Sequence, residues 1–182
     1  LWVNGEVVAV LENRHPARIP ISEYFKENSI NTIAIRVKSF KAQSPMPHSG
    51  SDHHIGWFAG RIWIDLTAST YIDNVYAHAK NVSDPAEVVC RIDMSNISGE
   101  PFTGTLSMRV YNWYPDEKTE PIAVHNLPVR LRARSKEIVS ANVSIHNPQL
   151  WTCNVPNLYK IGVILKDISG NAVDDYVITT GL

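Results

Sequence analysis

Almost nothing in this sequence repeats with the 3.6-residue period of a helix. The one brief candidate is "EYFKEN", with Ser22 placed to cap it and Glu23 favourable in its first turn. Long apolar runs are missing too. None approaches the ~20 residues that cross a bilayer as a helix, and no signal peptide is visible, so no membrane partner is expected. Charge of one sign is not concentrated: the net charge is −1 with histidine neutral. Without a polybasic run there is no electrostatic footprint for nucleic acid. The densest basic stretch, Arg130, Arg132, Arg134 and Lys136, alternates with Leu131, Ala133 and Ser135, the pattern of one strand's solvated face. Cysteine is scarce. Cys90 and Cys153 make no disulfide framework and lack metal-ligand company at short spacing, so both read as free buried thiols. No Gly-rich phosphate loop, fixed-period repeat or low-complexity tract is present, and no cofactor is expected. The first residue is Leu1, not Met, and it lies inside an apparent strand. The chain therefore reads as a piece of something longer, and its compartment is left open.

What is present has strand period, in an ordinary globular balance of 44% apolar and 19% charged residues. "LWVNGEVVAVL" reads as two strands around a tight Asn4-Gly5 turn. "NTIAIRV" puts Ile33, Ile35 and Val37 on one face, and "RIWIDLT" does the same with Ile62, Ile64 and Leu66. From Tyr71 onward seven strand candidates follow: "YIDNVYAHAK", "AEVVCRIDMSN", "GTLSMRVYNW", "TEPIAVHN", "EIVSANVSI", "LYKIGVILKD" and "AVDDYVITTGL". Turn signals such as "NVSDP", "SGEPF" and "ISGN" separate most of them, which suggests an immunoglobulin-like β-sandwich. A domain boundary is expected at "TASTY", residues 67–71. Asn81, Asn96 and Asn142 each begin an Asn-x-Ser triplet, which matters only in a secreted eukaryotic protein.

Between the strand candidates of the first part lies the long stretch "KSFKAQSPMPHSGSDHHIGWFAG", residues 38–60. Loops of this length in a compact domain are usually functional or mobile. His48, Asp52, His53 and His54 are residue types that ligate metals, but His53 and His54 are adjacent and fit no standard ligand spacing. No metal is assigned. Tyr111 and Trp113 share a strand face, with Tyr114 following. Packing, in a core or between domains, is the leading reading, and an aromatic platform for sugar is the alternative. Asp116 and Glu117 read as solvated turn residues, and Asp174 and Asp175, adjacent on a strand, point to opposite faces.

Three stretches resemble one family. "LWVNGEVV" followed by "NTIAIRV" looks like the end of the N-terminal jelly-roll domain of family 2 glycoside hydrolases, the group of β-galactosidases, β-glucuronidases and β-mannosidases. "GRIWIDLTASTYIDNVYA" resembles that domain's last strand and its crossing into the next domain. "NPQLWTCNVPNLYKIGVILKDISGNAVDDYVITTGL" resembles the final strands of the family's immunoglobulin-like second domain. Two positions depart from the family pattern: Ile64 stands where an arginine is common, and Ser39-Phe40 where some relatives carry an acidic residue.

The resemblance implies an all-β chain: a partial jelly-roll sandwich over residues 1–68, then a seven-stranded immunoglobulin-like β-sandwich over residues 69–182. It implies a non-catalytic fragment of a β-glycosidase, because both catalytic glutamates of the family lie in a (β/α)8 barrel that would follow. No catalytic residue is assigned here. The expected partners are carbohydrate, through the parent enzyme, and the catalytic barrel, with a homo-oligomer left open. Asp52, His53, His54, Trp57 and Phe58 are the sugar-contact candidates, against the blander reading of a loop packed on the barrel domain. An independent carbohydrate-binding or adhesion sandwich is the alternative function. In "LWTCNVPNLY", residues 150–159, Leu150 and Trp151 are expected to plug the end of the core. Leu158 should begin the strand that continues through Ile161, Val163 and Leu165.

Overall fold

Asn4 and Gly5 both adopt positive φ, 52° and 88°, as a two-residue hairpin turn requires. The computed structural model describes residues 1–11, 16–37 and 60–182, and the chain divides into two compact units, Leu1–Trp63 and Ile64–Leu182. In the first unit, β1 (Trp2–Val3) pairs antiparallel with β2 (Glu6–Val7) and with β3 (Ile33–Ala34), giving the order β2-β1-β3. The Asn4 side chain ties this turn to the approach of β3. Its Nδ2 donates to Tyr24 O at 2.7 Å and to Asn31 Oδ1 at 2.8 Å, and its Oδ1 accepts from the Thr32 amide at 3.0 Å.

Three expectations for this part of the chain are corrected. The helix over "EYFKEN" is a single 3-10 turn, Ser22–Tyr24, with Ile21 rather than Ser22 at its cap and no side-chain cap bond. The reason is local competition: Asn31 accepts from the Lys26 amide at 2.8 Å and donates to the Lys26 carbonyl at 3.0 Å, so neither group is left to extend a helix. "NTIAIRV" pairs only over Ile33–Ala34. "RIWIDLT" forms no strand, and Ile62, Trp63, Ile64 and Leu66 are exposed. A strand exists by pairing, and none of the described residues pairs with 61–67.

The second unit carries seven antiparallel strands: β4 (Thr70–Asn81), β5 (Ala86–Asn96), β6 (Phe102–Tyr114), β7 (Ala123–Leu131), β8 (Ser135–Ile145), β9 (Leu158–Asp167) and β10 (Ala172–Thr180). They form two sheets, β10-β9-β6-β7 and β4-β5-β8, in the manner of an immunoglobulin-like sandwich. The strand expected over "TEPIAVHN" runs instead over Ala123–Leu131, because pairing with β6 begins at Ala123 opposite Val110. Pro128 is tolerated there since β7 is an edge strand. The basic stretch is exposed as expected but does not lie on one strand. Arg130 is in β7 and Lys136 in β8, and the chain turns between the sheets at Arg134, whose φ is 50°.

Every second side chain of the central strands enters one core. β5 contributes Val88, Cys90, Ile92 and Met94, β6 contributes Leu106, Met108 and Val110, and β9 contributes Tyr159, Ile161, Val163 and Leu165, all buried. β-Bulges at Ile72/Asn74 and Ala172/Asp174 shift the phase of two outer strands. At that edge the Ile72 amide donates to Asp174 Oδ2 at 2.7 Å, which links one sheet to the other. Tyr159 is the largest fully buried side chain, and its phenol is satisfied. The hydroxyl accepts from the Gln149 amide at 2.6 Å, back in the β8–β9 connection. This is the tyrosine corner of the fold.

Replacing Tyr159 with Phe leaves the Gln149 amide without its acceptor. Urea denaturation should show a loss of about 1–3 kcal/mol, and an unchanged midpoint would show that the hydroxyl does not hold this corner.

Candidate functional site

Of the residues nominated from sequence, Asp52, His53, His54, Trp57 and Phe58 lie outside the described residues, as does His48. Among the described residues, no group of three or more His, Cys, Asp or Glu side chains is arranged to hold a metal ion. The acidic neighbours are separated by their bonding. Asp174 is half-buried and accepts from Ile72, whereas Asp175 is exposed on the other face. Glu117 lies in the turn after β6, and its Oε1 accepts from Lys160 Nζ at 2.8 Å.

The segment between β8 and β9 builds an end of the sandwich with exposed apolar side chains. The Thr152 amide donates to Val155 O and the Val155 amide to Thr152 Oγ1, both at 2.9 Å, closing a tight turn. That turn sets an isolated bridge between Trp151 and Pro156. The Trp151 amide donates to Leu182 O at 2.7 Å, which places Trp151 beside the backbone leaving β10. Trp151, Leu158, Gly181 and Leu182 line a shallow hollow of about 250 Å³. Leu150 and Trp151 are 43% and 47% exposed, so they do not plug the core as expected. Tyr159 fills that place, and Trp151 is held outside by its bond to Leu182. Exposed Val155 lies in the same turn, and exposed Tyr114 is paired to Leu158 across the β6–β9 ladder.

Tyr111 and Trp113 are not core either. Both are half-buried on the outer face of the β10-β9-β6-β7 sheet. Lys160 Nζ lies 4.1 Å from the Trp113 ring centroid and 5.8 Å from that of Tyr111. With Glu117 on its other side, this ammonium is held over the aromatic surface that a stacking sugar would need.

Two further sequence features resolve into structure. Asn96, in one Asn-x-Ser triplet, is buried: its Oδ1 accepts from the Ser98 amide, and its Nδ2 donates to the carbonyls of Glu100 and Arg132. It is a packing residue at a sheet crossover. Both cysteines are free, but only Cys90 is buried, and burial pushes its thiol up to about 11. Cys153 is exposed, since it sits in the turn that Thr152 and Val155 close.

The family model described as "Glycosyl hydrolases family 2" matches residues 70–182. A β-galactosidase of Photobacterium profundum is 26% identical over 193 aligned residues, covering 100% of this chain and 17% of that protein. A β-galactosidase of Leuconostoc mesenteroides is 28% identical, covering 92% of this chain and 16% of that protein. Among solved structures, a β-glucuronidase of Bacteroides uniformis superposes with a TM-score of 0.81 at 20% identity, over 100% of this chain and 22% of its own. The chain therefore spans about a sixth of the length of the β-galactosidases it matches.

Trp151→Ala should cost about 1.5–2.5 kcal/mol in a urea melt, roughly half of the ~3–5 kcal/mol that deleting a fully buried aromatic side chain costs. A larger loss would place the indole in the core after all. A maleimide reagent at neutral pH should label Cys153 at once and Cys90 only in denaturant. Labelling of both thiols in the folded chain would contradict the burial of Cys90.

Proposed function

The chain belongs to glycosyl hydrolase family 2, and from that membership we propose that it is a non-catalytic part of a β-glycosidase that hydrolyses O-glycosidic bonds. In this reading residues 1–68 belong to a sugar-binding jelly roll. Residues 69–182 brace the catalytic barrel and shape one wall of its active site. The chemistry is assigned to the barrel, where a retaining mechanism places two carboxyl groups about 5–5.5 Å apart. Asp52, His53, His54, Trp57 and Phe58 are the candidates for contact with sugar along that wall.

The observation that carries the bracing role is the apolar end of the second unit. Trp151, Leu150, Val155 and Tyr114 are exposed there, with Trp151 bonded to the backbone of Leu182. A clustered apolar surface of this kind is stable when another surface covers it. Its position at the end of β10 suits a domain that follows in the chain. The alternative, an independent carbohydrate-binding or adhesion sandwich, needs free coplanar rings, and at Trp113 the ring face is already occupied by Lys160.

The purified chain should turn over neither a chromogenic β-galactoside nor a β-glucuronide, and hydrolysis of either would overturn the non-catalytic reading. The bracing role has its own measurement. Trp151→Asp should lower the melting temperature of the barrel-bearing protein more than that of the 182-residue chain, and equal shifts would count against it.

A further inference from the structure

Asparagine followed by glycine occurs once in the chain, at Asn4-Gly5. In a flexible chain that pair is chemically unstable. The glycine amide nitrogen has no neighbouring Cβ to shield it, and it attacks the asparagine side-chain carbon, Cγ. At Gly5 the approach is open: the residue is exposed, and no atom lies within 4 Å of where a Cβ would stand. The step closes a succinimide ring. The Gly5 nitrogen gives up its proton, the N–Cγ bond forms, and the Cγ–Nδ2 bond breaks with release of ammonia. Water then opens the ring at either carbonyl and leaves aspartate or isoaspartate. No other reactant is needed.

The fold opposes this step at the atoms that must move. Asn4 Nδ2, the leaving group, donates to Tyr24 O at 2.7 Å and to Asn31 Oδ1 at 2.8 Å, and Oδ1 accepts from the Thr32 amide at 3.0 Å. The Asn4 amide is tied as well, donating to Thr32 O at 2.8 Å. Asn31 is itself braced by both backbone groups of Lys26. For Cγ to swing back onto the Gly5 nitrogen, the side chain must leave all of these partners, so the hairpin must part from the approach to β3. Val3, the preceding residue, is fully buried, and parting uncovers it. Asn28, before Ser29, is the natural comparison. It also has a positive φ, 51°, but it is exposed and its side chain makes no hydrogen bond among the described residues.

We propose that Asn4-Gly5 is a deamidation site that the fold holds shut. Modification waits for the hairpin to part from β3, and it then stops the sheet β2-β1-β3 from closing again. In the aspartate product an oxygen replaces the Nδ2 donor and faces Tyr24 O and Asn31 Oδ1, both acceptors. Asn31 cannot turn its amide round to help, because its Nδ2 already donates to the carbonyls of Lys26 and Ser29. In the isoaspartate product the backbone gains a methylene inside a turn that needs positive φ at both residues. Each opening of the first sheet thus risks a permanent chemical mark, while the core of the second unit is untouched.

Peptide mapping by mass spectrometry tests this on the 182-residue chain, incubated at mildly alkaline pH with and without urea. Asn4 should convert to the acid in urea and about tenfold or more slowly in the folded chain, since the reaction then waits on local opening. Asn28 should be slowed less. Asn31→Ala should raise the rate at Asn4 without urea. Hydrogen exchange reads the second half of the proposal. In Asn4→Asp, the amides of residue 4 and Thr32 should lose about tenfold of their protection, and those of β5 and β6 should keep theirs. Asn4 protected no more than Asn28, an Asn31→Ala chain with an unchanged rate at Asn4, or an Asn4→Asp chain with full protection at Thr32 would each overturn the proposal.

Discussion

β5, β6 and β9 each give alternate side chains to one apolar layer, and what the second unit displays outside follows from that. Side chains in a strand repeat every two residues, so choosing the inward row fixes the outward one. With Tyr159, Ile161, Val163 and Leu165 inside, Lys160, Gly162 and Ile164 must face out. With Leu106, Met108 and Val110 inside, Arg109 and Tyr111 must face out, and Ser107, on the same row, is covered. Each fully buried aliphatic side chain contributes about 1.5–3 kcal/mol. A one-residue slip in β6 would move all three of its core residues into water, a loss that no single outer-face contact could offset. The bulges lie toward strand ends, near Asp73, Lys80, Trp113 and Val173, where the phase can change without emptying the core.

The connection from β8 to β9 shows how polar bonds decide which aromatic is buried. Tyr159 and Trp151 compete for the same end of the sandwich. The tyrosine hydroxyl reaches Gln149 and is satisfied inside. The tryptophan is fixed by its own amide to Leu182, and its ring stays at the surface. A polar tip with a backbone partner makes burial of a large ring inexpensive, whereas a buried indole needs a partner for its N–H.

This is also where legibility in the sequence ran out. The period-two pattern located β5 over Ala86–Asn96 and β9 over Leu158–Asp167, since both are long, fully alternating and flanked by turn residues. The Asn4-Gly5 turn was equally plain, because positive φ at two successive positions restricts the residue types. Pattern alone could not show that Asn31 would take both backbone groups of Lys26 and stop a helix five residues upstream. Nor could alternation distinguish one strand from two: Arg130 to Lys136 keeps its period through the turn at Arg134. Trp151 was misplaced because "LWTCNVPNLY" contains two large aromatics, and hydrophobicity does not rank them. The nominated residues from Asp52 to Phe58 lie outside the described residues, so their role still rests on the sequence.

The apolar end and the outer face are separate surfaces of one sandwich, and β6 touches both. The bulge between Asn112 and Tyr114 lets the strand put Trp113 on the face, under Lys160, and Tyr114 at the end, opposite Leu158. Without that extra residue, strict alternation would carry Trp113 and Tyr114 to opposite sides of the sheet, and one ring would enter the core. Lys160 then has a structural part: its ammonium shields the Trp113 ring from water and is itself held by Glu117 from the following turn. A surface pair of this kind is weak by itself. Over an aromatic ring it gains the attraction of the π face, which helps to order the Trp113 end of β6.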